Sequence, residues 1–318
     1  MKRGQNTDRK RYGKNKFIPH LIIIVSVLLV VVVASIITVK VVSHRIHTSD
    51  SVAALYDSWN VYDYQKVYEI SGNILASNPL HNAARTFHGY SSFYLAVSEN
   101  DNSKAQGYLD EAINNIRIAL IDAKYETKGQ LEYMLGKTYF YKNNLSSYHY
   151  YADLVVLYLV AAQNDGYKSD DMAEYLGLSY AQLGDTERSI ASFTEALLYR
   201  ESDTLLLSIA EQYYRNEQYS ASKQYLYRIS GMSNDDEILN RTHNLMGKIY
   251  TQEGDFQEAK KEFEAILEKN ENSADAHYGL GVLYEKQGDM AKARSEWRKT
   301  LRIQATHEGA LKKMSETK

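Results

Sequence analysis

The sequence predicts an all-α protein built as a solenoid of about seven consecutive helical hairpins. The first observation is that small and aromatic residues recur after 34 positions near the end of the chain. The recurring positions are Met246-Gly247 and Leu280-Gly281, Tyr250 and Tyr284, Ala259 and Ala293, and Phe263 and Trp297. The second observation is that the 318 residues include only 2 Pro, which favours long uninterrupted helices. A fixed period of this length is typical of arrays of helix–turn–helix repeats.

Each recurring position has a physical reason, which is clearest in the last unit. Gly281 has no side chain, so the second helix of the unit can approach the backbone of the first. Gly288 lies between the two helices and accepts a left-handed backbone conformation at little cost. Ala293 and Trp297 then supply a small and a large contact, one turn apart on the second helix. The pattern therefore predicts a tightly packed helical hairpin.

With these residues the chain resembles the tetratricopeptide repeat (TPR) family. The resemblance implies seven units between about residues 48 and 307, of which the last four match the motif well. The first three units are assigned from the period and from a partial motif. Leu55 takes the glycine position of the first unit. From the second unit to the seventh that position is held by Gly89, Gly136, Gly177, Ala210, Gly247 and Gly281.

Several units depart from the regular motif. The predicted helices of these units are residues 51–60 and 64–76 in the first, the second helix at 103–123 in the second, and the second helix at 145–162 in the third. This register puts Tyr148 at the small position of the third unit and Ala152 at its large position. Ser189 and Ser222 replace Ala in the fourth and fifth units. A short polar helix at about residues 307–314 is expected to cap the array, because the last unit of a solenoid needs a polar outer face.

The N-terminal region predicts a membrane anchor. Residues 21–39 form a run of 19 residues without a charge, long enough as a helix to span about 28 Å of hydrocarbon. Seven Lys or Arg and one Asp precede it within residues 1–16, so the positive-inside rule places the N-terminus in the cytoplasm. The predicted segments are a basic cytoplasmic tail (1–16), a transmembrane anchor (17–42), a short linker (43–50), the TPR solenoid (51–307) and a C-terminal cap or tail (308–318).

Two other interpretations of this region are open. A cleaved signal peptide has a shorter apolar core and a cleavage site of small residues; residues 32–34 offer such a site, but the apolar run continues past it. The basic tail is also compatible with nucleic-acid binding, although a solvated topology signal is the commoner meaning of such a charge run. We therefore expect an uncleaved anchor, with the repeats on the periplasmic side of a bacterial inner membrane.

Composition and motif spacing predict no catalytic site, no metal site and no cofactor. The chain has no Cys, which excludes disulfides and thiolate chemistry, and its 9 His form no His-Glu-x-x-His pair. His243 and His277 fall at packing positions of their units, so we interpret them as core or interface residues. Of the 37 Lys/Arg and 40 Asp/Glu, residues 1–42 hold eight and one, leaving 29 and 39 for the rest. A net charge of −10 there argues against nucleic acid as the partner.

The TPR resemblance implies a protein or peptide partner, held in a groove lined by the first helix of each unit. The family's groove positions fall on Tyr56, Trp59, Tyr90, Phe93, Tyr94, Tyr133, Phe140, Tyr141 and Tyr214, with Tyr278 in the last unit. These aromatic residues concentrate in the half of the repeat array nearest the membrane. Because exposed aromatic surface marks interaction sites, we expect that half of the array to bind the partner.

Three functional hypotheses follow. The first is a membrane-anchored scaffold or adaptor for envelope assembly, secretion or complex formation. The second is a chaperone-like holder of unfolded clients near the translocon, which predicts promiscuous binding to apolar segments. The third is an enzyme hidden in the solenoid, which requires titratable groups that converge in the groove; the sequence shows no such cluster.

Overall fold

The computed structural model describes residues 28–38, 51–146 and 150–316, and within them it contains helices and no strand. Residues 28–38 are helical (α1). The helices that follow are α2 (Val52–Asn60), α3 (Tyr64–Ser77), α4 (Asn82–Ser98), α5 (Asn102–Ile121), α6 (Tyr125–Leu145), α7 (Ala152–Asn164), α8 (Met172–Gln182), α9 (Thr186–Ala196), α10 (Asp203–Arg215), α11 (Tyr219–Met232), α12 (Asp236–Glu253), α13 (Phe256–Lys269), α14 (Ala274–Lys286), α15 (Met290–Ile303) and α16 (Glu308–Glu316). After α1 the chain thus has seven successive helix pairs and one final helix, and the predicted all-α helical-repeat fold is confirmed.

The chain divides into two units, residues 1–91 and residues 92–318. In the first unit, α2 and α3 pack around an apolar core that includes Leu55 and Val67, both fully buried. In α1 every side chain is exposed, and its large apolar side chains are 46–65% accessible. No helix among the described residues has both the length and the apolar content required to cross a membrane. The predicted basic tail, the linker and the ends of the predicted anchor lie outside the described residues.

Within the second unit, three helical hairpins close by packing one large side chain against a glycine of the first helix. A Cβ placed on Gly247 would lie 2.7 Å from Cε1 and Cζ of Phe263, and Gly177 and Gly281 are contacted in the same way by Phe193 and Trp297. In each of these hairpins the large residue follows the glycine by 16 positions. Phe263 is fully buried, and burial of a side chain of this size contributes about 1.5–3 kcal/mol. The predicted role of these glycines in close helix packing is confirmed.

The third helix pair corrects the predicted register. The side chain that contacts Gly136 is Leu159, and Val155 lies one turn earlier, fully buried at the small position. The predicted assignment of Tyr148 and Ala152 to these positions is therefore wrong. Its physical cause is that α6 continues to Leu145 and α7 begins only at Ala152, so seven additional residues separate the glycine from its contact.

Five of the turns inside the hairpins share one backbone conformation. Gly184, Gly254 and Gly288 have φ values of +77°, +82° and +81°, and Tyr62 and Glu217 take the same left-handed conformation at φ 59° and 58° in their turns. An N-cap residue follows each of them, and four of the five N-caps are Asp residues whose carboxylate accepts a backbone N–H of the next helix. The left-handed turn predicted at Gly288-Asp289 is confirmed and occurs in four other hairpins.

The two serines at the small position form a hydrogen bond that alanine cannot form. Ser189 Oγ donates to the carbonyl oxygen of Gly177 at 2.8 Å, and Ser222 Oγ donates to that of Ala210 at the same distance. Both serines are fully buried. A buried hydroxyl needs a partner, and the close approach of the two helices provides one. The departures from the motif are therefore accommodated within the same hairpin geometry.

From α6 onward, polar contacts link each first helix of the second unit to the next one. The contacts are Asn143 Nδ2 to Gln182 Oε1 (2.8 Å), Arg215 Nη1 to the Ala181 carbonyl (3.4 Å), Arg241 Nη2 to Glu211 Oε1 (2.7 Å), Lys286 Nζ to Gln252 Oε1 (3.2 Å) and Lys313 Nζ to Glu285 Oε2 (2.7 Å). Surface pairs of this kind contribute little stability individually. The buried apolar contacts therefore dominate the stability, and the polar contacts help fix the register between neighbouring first helices.

Candidate partner-binding surfaces

The aromatic residues predicted to line a groove differ widely in exposure. Tyr56 is 52% exposed, whereas Tyr90, Phe93 and Tyr133 are only 6%, 2% and 5% exposed. The remaining predicted rings are partly buried: Trp59, Tyr94, Phe140, Tyr141 and Tyr214. The expectation of an exposed aromatic surface is therefore wrong for Tyr90, Phe93 and Tyr133, because neighbouring rings cover them. Whether any of these residues binds a partner stays a prediction.

In the first unit the predicted rings pack on one another. The Tyr56 and Phe87 ring centroids are 4.9 Å apart in an edge-to-face arrangement, and Trp59 lies 5.6 Å from Phe87 and 5.9 Å from Tyr90. Edge-to-face pairs at such distances add about 0.5–1.5 kcal/mol beyond area burial. These rings thus stabilise the helix pair, and Tyr56 leaves the largest exposed area of the group.

The second unit contains what we call the proximal aromatic cluster: Phe93, Tyr94, Tyr133, Phe140, Tyr141, Tyr167 and Tyr175. Phe93 lies 5.3 Å from Tyr94 and 5.2 Å from Tyr141 between ring centroids, and Phe140 lies 4.6 Å from Tyr175. Five of its members were predicted from groove positions, and the structure brings those five together. Tyr167 and Tyr175 were missed because they belong to a loop and to α8, outside the positions that the motif assigns.

A partly buried ion pair lies in the middle of the proximal aromatic cluster. Lys137 Nζ is 2.7 Å from Asp171 Oδ2 and donates a hydrogen bond to Tyr133 Oη at 3.0 Å. Tyr133 Oη and Ser169 Oγ both donate to Asp171 Oδ1, at 2.7 and 2.5 Å. The ammonium of Lys137 also lies 5.5 Å from the ring centroid of Tyr175, within range of a cation–π interaction. All the charged groups of this network are thus satisfied internally.

The network shifts the pKa values of its members. Burial acts to raise the pKa of Asp171, but hydrogen bonds from Lys137, Ser169 and Tyr133 outweigh it and lower the pKa below its ordinary value. Burial acts to lower the pKa of Lys137, but the hydrogen bonds to Asp171 and Tyr133 raise it overall. Burial is the main cause that raises the pKa of Tyr133 to about 12. At neutral pH the network therefore holds one cation and one anion, and its Tyr133 hydroxyl is protonated.

A second surface lies between the first helices α10, α12 and α14, and we call its apolar part the distal cavity. Tyr214 and Tyr278, both at predicted groove positions, line this cavity of about 180 Å³ together with Phe263, Gly279 and Val282. Lys248 and Gln252 of α12 complete the wall. Unlike the rings of the proximal cluster, these two tyrosines border a cavity. The distal surface therefore offers room for a side chain from another molecule.

A polar cavity adjoins the distal cavity and shares Tyr214 and Lys248 with it. Arg215, Arg241 and Asn244 line it, together with the carboxylates of Glu211 and Asp275. Lys248, Asn244 and Arg215 are not predicted as site residues from sequence, because a charged or polar residue on a first helix is usually paired with its neighbours or solvated. The signal that identifies them is structural: they lie together beside an open cavity.

In the parts of the chain that the structure covers, two histidines each lie against a glutamate of the neighbouring helix. No group of three or more potential metal ligands occurs in those parts. His243 Nδ1 lies 2.7 Å from Glu262 Oε2, and His277 Nδ1 lies 2.6 Å from Glu296 Oε2, at positions 34 residues apart. These pairs join the two helices of one hairpin, and His277 is buried. This agrees with the packing role predicted for both histidines.

Comparison with protein-family models identifies two parts of the sequence. Residues 244–306 and residues 176–203 each match a model of the tetratricopeptide repeat. Each of these segments is therefore similar to a tetratricopeptide repeat. They include Gly177, Gly247 and Gly281 with their contacts, so the TPR resemblance based on these positions is confirmed. A search of curated proteins found no match.

Two solved structures have a similar fold. The C-terminal part of a TPR repeat-containing protein from Cytophaga hutchinsonii is similar over 82% of this chain and 98% of its own, with a TM-score of 0.54 and 15% sequence identity. The apo form of the quorum sensor NprR from B. thuringiensis is similar over 81% of this chain and 76% of its own, with a TM-score of 0.55 and 19% identity. At these identities the similarity establishes the fold alone. A TPR fold is suited to protein–protein interaction.

Proposed function

We propose that the protein is a non-catalytic scaffold that binds a partner protein on its first helices, anchored by its N-terminal segment with the repeats outside the cytoplasm. The observation that carries the binding role is the distal surface, where two tyrosines face open space beside polar side chains. Tyrosine is a usual anchor residue of protein interfaces, since it combines apolar area with a polar end. A structural relative is described as a quorum sensor, which is compatible with a TPR array that responds to another molecule.

The anchoring part of the proposal is supported by the sequence and by α1. The apolar run at residues 21–39 follows a basic tail, and the described part of that run is helical with its apolar side chains exposed. An exposed apolar helix is unfavourable in water and favourable in lipid. We therefore propose a single membrane span with the basic tail in the cytoplasm.

A photo-crosslinking experiment tests the binding role. A photoreactive amino acid is placed at Val282 in the distal cavity and, as a matched control, at Tyr227, which is 55% exposed on the second helix α11. The full-length protein is then irradiated in the cells that produce it naturally. We expect one discrete cross-linked protein from position 282 and none from position 227. Many products from position 282 favour the chaperone-like alternative, and equal products from both positions contradict a specific surface.

Protease protection tests the orientation. In cells whose outer barrier has been opened and whose inner membrane is intact, we expect added protease to degrade the repeats and to leave an epitope placed in residues 1–16 intact. The same digestion after lysis with detergent is the control that shows the epitope to be cleavable. Protection of the repeats in intact cells contradicts the proposed orientation.

A further inference from the structure

Two carboxyl groups and one ammonium meet where the loop between α7 and α8 (residues 165–171) lies against α6. Lys128 Nζ is 2.8 Å from Asp165 Oδ2 and 3.5 Å from Glu132 Oε1. Glu132 is only 5% exposed, and its Oε2 atom is buried without a hydrogen-bond donor among the described residues. If both carboxyl groups were ionised, one buried negative charge would be left without a partner, which is strongly unfavourable. A proton on one of the two carboxyl groups removes this charge.

The surroundings of the two carboxyl groups place the proton on Glu132. Burial and then the neighbouring charge of Asp165 raise the pKa of Glu132 above its ordinary value, and Lys128 offsets only part of this effect. The carboxyl of Asp165 is more exposed, and its interaction with Lys128 lowers its pKa. Lys128 and Asp165 are the charged groups that act most strongly on Glu132. Protonated Glu132 is therefore the donor of the hydrogen bond that joins the two carboxyl groups.

The same loop covers the part of α6 next to this pair. A Cβ on Gly129 would lie 2.9 Å from Tyr167 Cβ, so the loop approaches α6 closely. The ring of Tyr167 lies 5.0 Å from that of Tyr133 between centroids, and further along the loop Asp171 is paired with Lys137 at 2.7 Å. Tyr133, one of the predicted groove residues, is only 5% exposed beneath this cover. Movement of the loop away from α6 would therefore expose Tyr133.

We infer that Glu132 and Asp165 share one proton while the loop lies on α6, and that release of this proton to solvent lets residues 165–171 move away and uncover Tyr133. Ionised Glu132 faces the charge of Asp165 in a buried contact with a single ammonium, and the repulsion favours the open loop, in which water hydrates both carboxylates. The loop thus acts as a cover that a rise in pH opens. This regulation depends on the fold alone and is independent of the identity of any partner.

The direction of the pH dependence follows from the raised pKa of Glu132. A Glu side chain in water titrates near about pH 4.3, and the closed loop keeps the proton to a higher pH. The stability that the protonated form gives to the closed loop is therefore fully present below about pH 4.3 and is lost as the pH rises through the pKa of the closed form. The lowered pKa of Asp165 acts only below its ordinary value of about 3.9, outside this interval.

Hydrogen exchange of the purified full-length protein in detergent, followed by mass spectrometry, tests the cover. Glu132→Gln keeps the shape of the carboxylic acid and cannot ionise. The peptide that contains residues 166–171 should therefore be equally protected in both proteins near about pH 4 and better protected in the variant at higher pH. We expect the ratio of the two protection factors to grow by up to about tenfold per pH unit and then to level off, because one proton is released on opening. Glu126→Gln, at an exposed position of the same helix, is the matched control and should match the wild type.

Infrared difference spectra between the wild type and Glu132→Gln detect the proton directly. At about pH 5, above the ordinary titration of Glu, we expect the wild type to show the carbonyl band of a protonated carboxyl group. In Asp165→Asn this band should disappear at a lower pH, because the like charge has been removed. Absence of the band, or a band that Asp165→Asn leaves unchanged, overturns the shared proton. A protection ratio that does not change with pH, or a gain of protection spread over the whole chain in Glu132→Gln, overturns the loop cover.

Discussion

The phenyl ring of Phe263 lies against Gly247, so that a Cβ at residue 247 would be 2.7 Å from two ring carbons. The same ring also occupies the space that a Cβ on Gly279, in the next first helix, would need. One side chain on a second helix thus packs against two glycines on consecutive first helices. This links the closure of one hairpin to the attachment of the next.

The first prediction follows from this contact. Gly247→Ala should lower the free energy of unfolding by about 1–3 kcal/mol, because the added methyl group overpacks the space filled by Phe263. Chemical denaturation followed by circular dichroism measures the change. The matched control is Gly107→Ala on α5, where nothing lies within 4 Å of the added Cβ; there we expect a gain of about 1 kcal/mol from helix propensity. Equal effects of the two substitutions contradict the packing role.

The second prediction concerns the turns. Glu217 has φ 58° where the corresponding position of other hairpins is Gly, and this conformation costs a non-glycine residue about 1–2 kcal/mol. Glu217→Gly should therefore stabilise the protein by about 0.5–1 kcal/mol after the entropy cost of glycine. Gly254→Ala, at φ 82°, should have the opposite effect of about 1–2 kcal/mol. Thermal unfolding of both variants measures these effects. A change of the melting temperature with the same sign in both variants contradicts the argument.

The third prediction concerns the buried serine at the small position. Ser189→Ala should cost only about 0.5–1.5 kcal/mol, the net value of one hydrogen bond, because Ala fills the same position in later hairpins. Ser189→Leu should cost more, because the fully buried site has no room for two additional heavy atoms. The denaturant midpoints of both variants show which substitution destabilises the protein more. A larger loss for Ala than for Leu indicates that the hydroxyl, and not the close packing, dominates this contact.

The fourth prediction is a pH dependence. The pKa of Asp171 is lowered in the folded protein, relative to about 3.9 for Asp in an unfolded chain. Its stabilising contribution is therefore fully present above about pH 4 and is lost as the pH falls through the lower folded-state pKa. The difference in unfolding free energy between the wild type and Asp171→Asn should shrink as the pH falls below about 4. In a Lys137→Met background, which removes the paired cation, the same substitution should lose most of this pH dependence.

The regular hairpins could be predicted from sequence because their packing depends on local offsets. Gly247 and Phe263, or Gly281 and Trp297, are separated by a constant 16 positions, so one residue predicts its partner. In the third helix pair seven additional residues separate Gly136 from Leu159, and the offset rule assigned the wrong side chains. The length of an irregular connection depends on where α6 stops, and the period carries no information about it.

The candidate site was less predictable because exposure is a property of the assembled fold. Tyr133 and Tyr214 both lie at family groove positions. Tyr133 is covered by Tyr167 and hydrogen-bonded to Asp171, whereas Tyr214 borders an open cavity. The partners of Tyr133 come from a loop and from the N-terminus of α8. Likewise, the grouping of Lys248 with Arg215 and Asn244 beside one cavity depends on how the helices are arranged in space.

The constant offset has a consequence for how such a chain changes in length during evolution. Removal of the 34 residues 247–280 would bring Gly281 into the place of Gly247 and Trp297 into that of Phe263, with the left-handed turn preserved at Gly288. Duplication of the same stretch would insert one more hairpin with matching surfaces on both sides. A gene that encodes this fold can thus gain or lose whole modules by unequal recombination, and each product retains interlocking neighbours at the junction.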